Sequence, residues 1–289
     1  MFMSSPKPHS PYDPPRPYDA MHDPRKVHSP FGSADDLADR NPHIDQTRYT
    51  HAVTSLSPEA WQVIRSYYYG SISFFDAMIG RVIKHLENKN LLNNTLILFT
   101  ADHGDLLGDF GSCFKVNHLN GSVRIPFIMA GPGVSQGEVS DAIIGLQDIH
   151  PTLASFADAD IGQAVQGKNI IRHLADVSVP IRNLFYSTTQ SGAKGQSAMV
   201  TDGKWKYIYS EANATEELYD QENDIQELHN LAHASECVER INVIRNLLRE
   251  CALEFNDDNL FDGDNFAGSS VDRSKFSNAP VGGMGWRWY

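Results

Sequence analysis

The sequence predicts an α/β fold: a mixed, mostly parallel sheet sandwiched by helices, followed by a small antiparallel subdomain with a packed helix. Three observations predict it. The apolar run Thr95-Leu-Ile-Leu-Phe-Thr100 is short and bounded by polar residues, as in a strand buried on both faces. A helical pattern precedes it and a second such run, Ile125–Ala130, follows, so helix and strand alternate. Beyond residue 185 the style changes to two short runs joined by Asp202-Gly203, a strong hairpin signal.

Taken in order, residues 1–50 are rich in proline, histidine and aspartate. PHSPYDPPRPYDAMHDP excludes regular helix, because proline lacks the backbone donor and biases its predecessor toward extended geometry. A short strand fragment and then a long irregular segment are expected there, and a loop of that length is usually functional or disordered. Ser57-Pro58 starts a helix, with serine as N-cap and proline at the first helical position. Ile64, Tyr68, Ile72, Phe75, Ile79, Val82, Ile83 and Leu86 then recur in steps of three and four, one stripe of a long amphipathic helix. Gly70 and Gly80 permit close packing or a kink, and Asn88-Lys89-Asn90 ends the helix. The strand at 95–100 leads into Asp102-His103-Gly104-Asp105, and ligands of open α/β sheets sit at the carboxyl ends of strands. The strand at 125–130 is closed by Gly131-Pro132-Gly133, and Asp148–Phe156 reads as a helix. Next come strands at 197–201 and 204–210 and an added strand at Glu217–Asp220. A helix over Ser235–Glu254 carries Val238, Ile241, Ile244, Leu247, Leu248 and Cys251 on one face. This divides the chain into residues 1–185, 186–256 and a tail, 257–289, whose end GGMGWRWY is aromatic enough to dock.

A chain of 289 residues with 41% hydrophobic and 21% charged residues can bury a core. Its net charge of −12 opposes non-specific nucleic-acid binding, which needs basic patches, but does not exclude anionic substrates, because a site is local. Cys113, Cys237 and Cys251 are too few and scattered for a disulfide framework or zinc cage, leaving one disulfide open. No apolar run reaches the roughly 18 residues of a membrane span, and the first residues do not read as a secretory signal.

The local candidate for chemistry is Asp102-His103-Gly104. A carboxylate at a strand end, with a glycine admitting close backbone approach, suits a hard metal ion; the plainer alternative is a turn whose aspartate caps the next element. Lys115, an ordinary surface lysine in isolation, can stabilise a developing oxyanion if held near a metal. His9, fixed between prolines in Pro8-His9-Ser10-Pro11, is either a loop histidine satisfied by backbone or a rigidly presented proton donor or oxyanion contact. His118 lies three residues past Lys115; His22, His28, His43, His51 and His150 are read as structural or surface groups.

Together these pieces resemble the sulfatase family of the alkaline-phosphatase-like superfamily. The resemblance covers roughly residues 5–232. Lys7-Pro-His-Ser-Pro-Tyr12 is similar to the family's PHxPY loop, YYYGSISFFDAMIGRVIKHL to its long central helix, and TLILFTADHGDLLGDFG to its metal-binding strand end. KVNHLNGSVRIPFIMAGPG resembles the next block, LQDIHPTLASFA the D-x-x-PT helix, and TDGKWKYIYS with ELYDQENDIQELHNLA the carboxyl-terminal subdomain. The resemblance implies sulfuric ester hydrolysis with a calcium ion (magnesium the alternative) and a formylglycine nucleophile made from Cys or Ser. It implies that Asp102 and His103 are metal ligands. Lys115 and His9 match the sulfate-binding lysine and the histidine near the leaving oxygen, and His118 joins them as a substrate contact. The implied substrate is a sulfate ester, such as a sulfated glycan, and the implied compartments are periplasm, cell exterior or lysosome.

The family places two adjacent metal-binding aspartates, then C/S-x-P-x-R, then K-x-H, all before the loop at which this chain begins. The cysteine contexts SCFKV, ECVER and ECALE do not fit, Asp35-Asp36 lies on the wrong side of the loop, and no serine is expected to fill the motif. The chain is therefore expected to be the carboxyl-terminal portion of a sulfatase that lacks the nucleophile segment. Alone it is expected to be inactive, aggregation-prone and a weak calcium binder. A phosphonate or phosphate ester hydrolase of the same fold and a non-catalytic binding remnant are the competing readings. Gly108-Asp109-Phe110-Gly111 and Leu119-Asn120 depart from the family pattern at positions expected near the substrate mouth.

Overall fold

The computed structural model describes residues 1–161, 165–189 and 196–277. The expected aromatic docking end at 282–289 lies outside them. The first forty residues hold 3₁₀ turns at Tyr18–Ala20, Pro24–Lys26 and Ala34–Leu37 and no strand, so the expected strand fragment is absent. Helix α1, Pro42–Thr50, was not anticipated; Asn41 caps it by accepting the amide of His43 at 3.0 Å, and Pro42 opens it.

Helix α2, Pro58–Asn88, begins as expected with Ser57 Oγ accepting the Ala60 amide at 3.2 Å. Gly70 is a close-packing site, since a Cβ there would sit 2.4 Å from the Tyr18 carbonyl oxygen. Gly80 faces open space. The buried face of α2 is its amino-terminal half: Trp61, Arg65, Ser66, Gly70 and Ser71 are buried, whereas the apolar stripe from Ile72 onward is half-exposed.

Strand β1, Ile97–Thr100, the short helix α3, Asn120–Val123, and strand β2, Phe127–Ala130, come next. The α/β class holds, but β1 and β2 pair antiparallel, Ile97 opposite Ala130 and Thr100 opposite Phe127, rather than parallel. A short apolar run reads the same in either direction, and the connection over residues 101–126 is long enough for either arrangement, so neither signal settles the direction. Helices α4, Ile149–Phe156, and α5, Ile171–Ala175, follow. Asp148, fully buried ahead of α4, accepts the amides of Gly145 (2.9 Å) and Lys168 (2.7 Å) and both ends of the Arg182 guanidinium at 2.5 and 2.7 Å.

The remaining chain builds one antiparallel sheet in the order β3 (Phe185–Thr189), β4 (Ser197–Thr201), β5 (Trp205–Ser210), β6 (Thr215–Asp220). Successive side chains alternate between its faces. Ala198, Val200, Tyr207, Tyr209 and Leu218 pack on helix α6, Val238–Glu254, through Ile241, Ile244 and Leu248. Met199, Ile208 and Tyr219 point the other way, into a cluster with Leu37, Ile44, Leu106, Phe110 and Leu119. One sheet thus serves two cores, and the loops of the amino-terminal half sit directly on it.

The segment read as a tail from 257 is built into the fold as far as 277. Leu260, fully buried, and Phe261 and Phe266 of the small hairpin β7 (Phe261–Asp262) and β8 (Asn265–Phe266) join the α6 core. Arg273 then donates to the Arg40 carbonyl at 2.6 Å, and Phe276 meets Tyr49 at 5.9 Å between ring centroids. These apolar residues are spaced too widely among Asp, Gly and Asn to register as a periodic pattern.

Candidate active site

Four segments build the site: the proline-rich loop at His9, the end of β1, the loop 104–116, and α2 behind them. Pro6 and Pro11 bracket a closed turn in which the His9 amide donates to Pro6 O at 2.9 Å. Lys7 spans it, donating to Pro11 O at 2.6 Å and pairing with Asp13. His9 Nδ1 lies 2.9 Å from the Ser10 carbonyl, which only accepts, so Nδ1 carries the proton and Nε2 presents its lone pair. Lys115 Nζ donates to that Nε2 across a separation of 106 residues. The ring of His9 also lies edge-on to His103 at 5.8 Å and stacked on Phe114 at 6.4 Å.

Asp102 follows β1 with its side chain 85% exposed, and its Oδ1 accepts the His103 amide at 3.0 Å. His103 Nδ1 faces the Gly104 carbonyl at 2.8 Å, which leaves Nε2 as a lone-pair donor 3.6 Å from Asp102 Oδ2. A carboxylate oxygen and an imidazole nitrogen facing one another suit a shared cation. Among the described residues no group of three or more His, Cys, Asp or Glu side chains is placed to hold a metal ion. Calcium takes six to eight oxygen ligands. Asp102 supplies such an oxygen and His103 a nitrogen, so the pair makes part of a mixed shell and is not a complete cage. Gly104 is required where it stands: its amide donates to Ser122 O at 2.7 Å, and a Cβ would sit 2.1 Å from Gly121 O.

The loop 104–116 folds on itself and on α2. Leu106 N donates to Phe114 O at 2.9 Å and Gly108 N to Ser112 O at 2.8 Å. Asp109 is buried and paired with Arg65 of α2; burial raises its carboxyl pKa, against the lowering effect of the guanidinium. Arg65 also donates to Leu107 O at 2.8 Å. Asp109 and Phe110 are therefore interior, as is Leu119 (1% exposed), and none lines a substrate mouth as the departures from the family pattern suggested. Phe114 and Val116, on either side of Lys115, hold left-handed backbone with φ of 64° and 73°. Such residues cost about 1–3 kcal/mol each and persist where their surroundings over-determine them.

The fold brings His9, His103, Asp102 and Lys115 to one place. It does not bring His118 there. That ring is 2% exposed, with Nε2 3.2 Å from Ser197 O on the sheet, and burial lowers its pKa to about 4. Beside it Lys206 donates to His118 O (2.9 Å), Asn120 Oδ1 (2.7 Å) and Glu227 Oε1 (2.6 Å), a buried ion pair that bolts the 118–120 turn to the sheet. Sequence reasoning missed His51, set aside as structural. Its ring meets Phe114 at 4.4 Å next to Lys115, and burial lowers its pKa. It also missed Tyr12 and Asp105 as a pair, joined at 2.7 Å.

One pentapeptide does match C/S-x-P-x-R, contrary to expectation: Ser178-Val179-Pro180-Ile181-Arg182. It follows Lys115 instead of preceding it. Ser178 closes an exposed turn, its Oγ donating to Asp176 Oδ1 at 2.7 Å, and Arg182 is committed to the buried Asp148. The three cysteines are free thiols, and burial pushes the pKa of each one upward.

Comparison with known proteins bears on the same residues. The sequence model described as Sulfatase matches residues 1–159, and that described as N-sulphoglucosamine sulphohydrolase, C-terminal, matches 108–254. The chain is 32% identical to an arylsulfatase of Clostridium perfringens over 90% of its own length and 54% of that protein. It is 32% identical to a choline-sulfatase of Rhizobium meliloti over 78% of its length and 44% of that protein. It thus spans about half the length of these curated relatives. Among solved structures, the phosphonate monoester hydrolase of Silicibacter pomeroyi superposes with a TM-score of 0.76 at 25% identity, over 86% of this chain and 54% of that one. With its first 159 residues matched by the family's own sequence model, the chain belongs to the sulfatase family.

Proposed function

We propose that this chain carries the charge-stabilising half of a sulfuric ester hydrolase. Calcium would be the metal, and the nucleophile a formylglycine that neither its cysteines nor Ser178 supplies. The observation that carries this reading is the meeting of His9 and Lys115 beside Asp102 and His103. The Lys115 ammonium neutralises negative charge that accumulates on the ester oxygens during displacement. His9 Nε2 accepts a hydrogen bond from the Lys115 ammonium and so orients that charge; to act as the acid on the leaving oxygen, His9 takes its own proton from solvent. Asp102 and His103 supply part of a metal site, and a calcium ion bound there would polarise the sulfate oxygens. The substrate class is a sulfate ester, in keeping with the arylsulfatase and choline-sulfatase relatives; a sulfated glycan is our preferred candidate. With only two ligands in place, calcium binds weakly to these 289 residues, and the chain by itself does not turn over.

A second reading, hydrolysis of phosphonate or phosphate esters, is favoured by the likeness to the phosphonate monoester hydrolase. The experiment is hydrolysis of 4-nitrocatechol sulfate, 4-nitrophenyl phosphate and a phenylphosphonate monoester by the 289-residue chain with calcium, beside Asp102→Ala and Ser178→Ala. We expect no turnover of any ester by folded protein. Sulfate turnover lost in Asp102→Ala would overturn the claim of an incomplete site, and its loss in Ser178→Ala would identify the nucleophile. Turnover confined to the phosphorus esters would establish the second reading.

A further inference from the structure

We propose that Asp105 is the positioning residue of this site. One of its carboxylate oxygens holds the His9 loop through Tyr12, and the other holds the Lys115 loop through the Phe114 amide, so that His9 and Lys115 meet. This rests on the reading of that pair as the charge-stabilising end of the site.

The Tyr12 hydroxyl donates to Asp105 Oδ2 at 2.7 Å across 93 residues. Asp105 Oδ1 accepts the amide of Phe114 at 2.8 Å and that of Leu107 at 3.0 Å. Both oxygens are therefore used, on different segments. Tyr12 lies three residues after His9 in the turn that Lys7 closes through Pro11 and Asp13, so fixing Tyr12 fixes His9. Phe114 immediately precedes Lys115 and holds left-handed backbone, the kind of conformation that needs an outside contact to persist. Its amide is the group Asp105 grips. The ring of Phe114 in turn stacks on His9 and meets His51, closing the circuit.

The residue types suit the task. A phenol donates one hydrogen bond and a carboxylate accepts at both oxygens, whereas an asparagine can accept at only one. Tyr12 is anchored from behind by Tyr68 of α2, edge-on at 5.8 Å, and burial together with the Asp105 charge keeps its hydroxyl protonated and donating. Asp105 makes no hydrogen bond or ion pair with His9 or Lys115 and acts through their neighbours.

The test is NMR of the 289-residue chain with labelled histidine and phenylalanine, following the cross-peaks of the His9 ring with the rings of Phe114 and His103. In Tyr12→Phe and Asp105→Asn these cross-peaks should be lost while the protein stays folded. Tyr186→Phe is the matched control, since Tyr186 donates to Asp257 at 2.8 Å in the other half of the molecule; it removes the same kind of bond and should leave the His9 cross-peaks intact. If Asp105→Asn fails to fold, Tyr12→Phe, which deletes a single oxygen, carries the test. Cross-peaks that survive in folded Tyr12→Phe, that vanish equally in Tyr186→Phe, or that are missing from the unsubstituted chain would overturn the proposal. No ester is used, so a failure of the hydrolase reading leaves this result untouched.

Discussion

Strands β1 and β4 are both short and apolar, yet β4 is buried along four of its five residues and β1 along none of its four. β4 has a hydrogen-bonded neighbour on each side, α6 on one face and the loops around Leu106 and Phe110 on the other. Among the described residues β1 has the single neighbour β2, whose Ile128 is 59% exposed. The difference divides the site. Asp102 and His103 ride on the end of the poorly covered strand. Lys115, and His9 through Tyr12 and Asp105, ride on loops clamped to the buried sheet by Phe110, Leu119 and the Lys206–Glu227 pair. The proposed charge-neutralising end is thus built on the firm part of the molecule and the proposed metal end on the soft part.

The buried sheet should show the largest effects. Lys206 is buried, and burial lowers its pKa against the opposing pull of Glu227. Lys206→Met leaves that carboxylate unpaired in the interior and should cost about 3–5 kcal/mol, read by urea unfolding. Lys206→Met with Glu227→Gln should recover most of the loss. Leu218→Ala, at a fully buried position of β6, should cost about 2–5 kcal/mol. Ile128→Ala, the counterpart on β2, should stay within about 0.5 kcal/mol. Equal losses at the two positions would dissolve the distinction.

Acid sharpens the comparison. His118 has a folded pKa of about 4, below its ordinary 6.5, so between those values the unfolded chain binds the proton and the folded one does not. Stability should therefore fall as pH drops from 6.5, by roughly 3 kcal/mol at pH 4. His118→Phe should remove that part of the slope. The smallest structural effect is expected at Asp102→Ala. With an 85% exposed side chain it should leave stability within about 0.5 kcal/mol while weakening calcium binding in a calorimetric titration.

Much of this was legible in the chain. Ser57-Pro58 and the stripe after it gave α2, and Asp202-Gly203 gave the β4–β5 hairpin, because caps and tight turns are local chemistry. The association of His9, Asp102, His103 and Lys115 came through resemblance to the family and not from any local pattern. Helix α1 was missed although Asn41-Pro42 carries a cap and a first-turn proline; the surrounding prolines masked it. The direction of β1 and β2 was not readable, since an apolar run has no sense of direction. His118 was misjudged because three residues past Lys115 the chain has already turned into the sheet. Tyr12–Asp105 and Lys206–Glu227 join residues far apart in sequence, and no local pattern announces such pairs.

Native-state hydrogen exchange of the 289-residue chain reads the firm and soft parts separately. The amides of Tyr207, Ile208 and Leu218 should exchange only by global unfolding. Those of Leu106 and Phe114, bonded within the Lys115 loop, should follow them closely, while the β1 amides that bond to β2 exchange through much cheaper local opening. Protection of β1 equal to that of β5, or a Lys115 loop that opens independently of the sheet, would contradict the account.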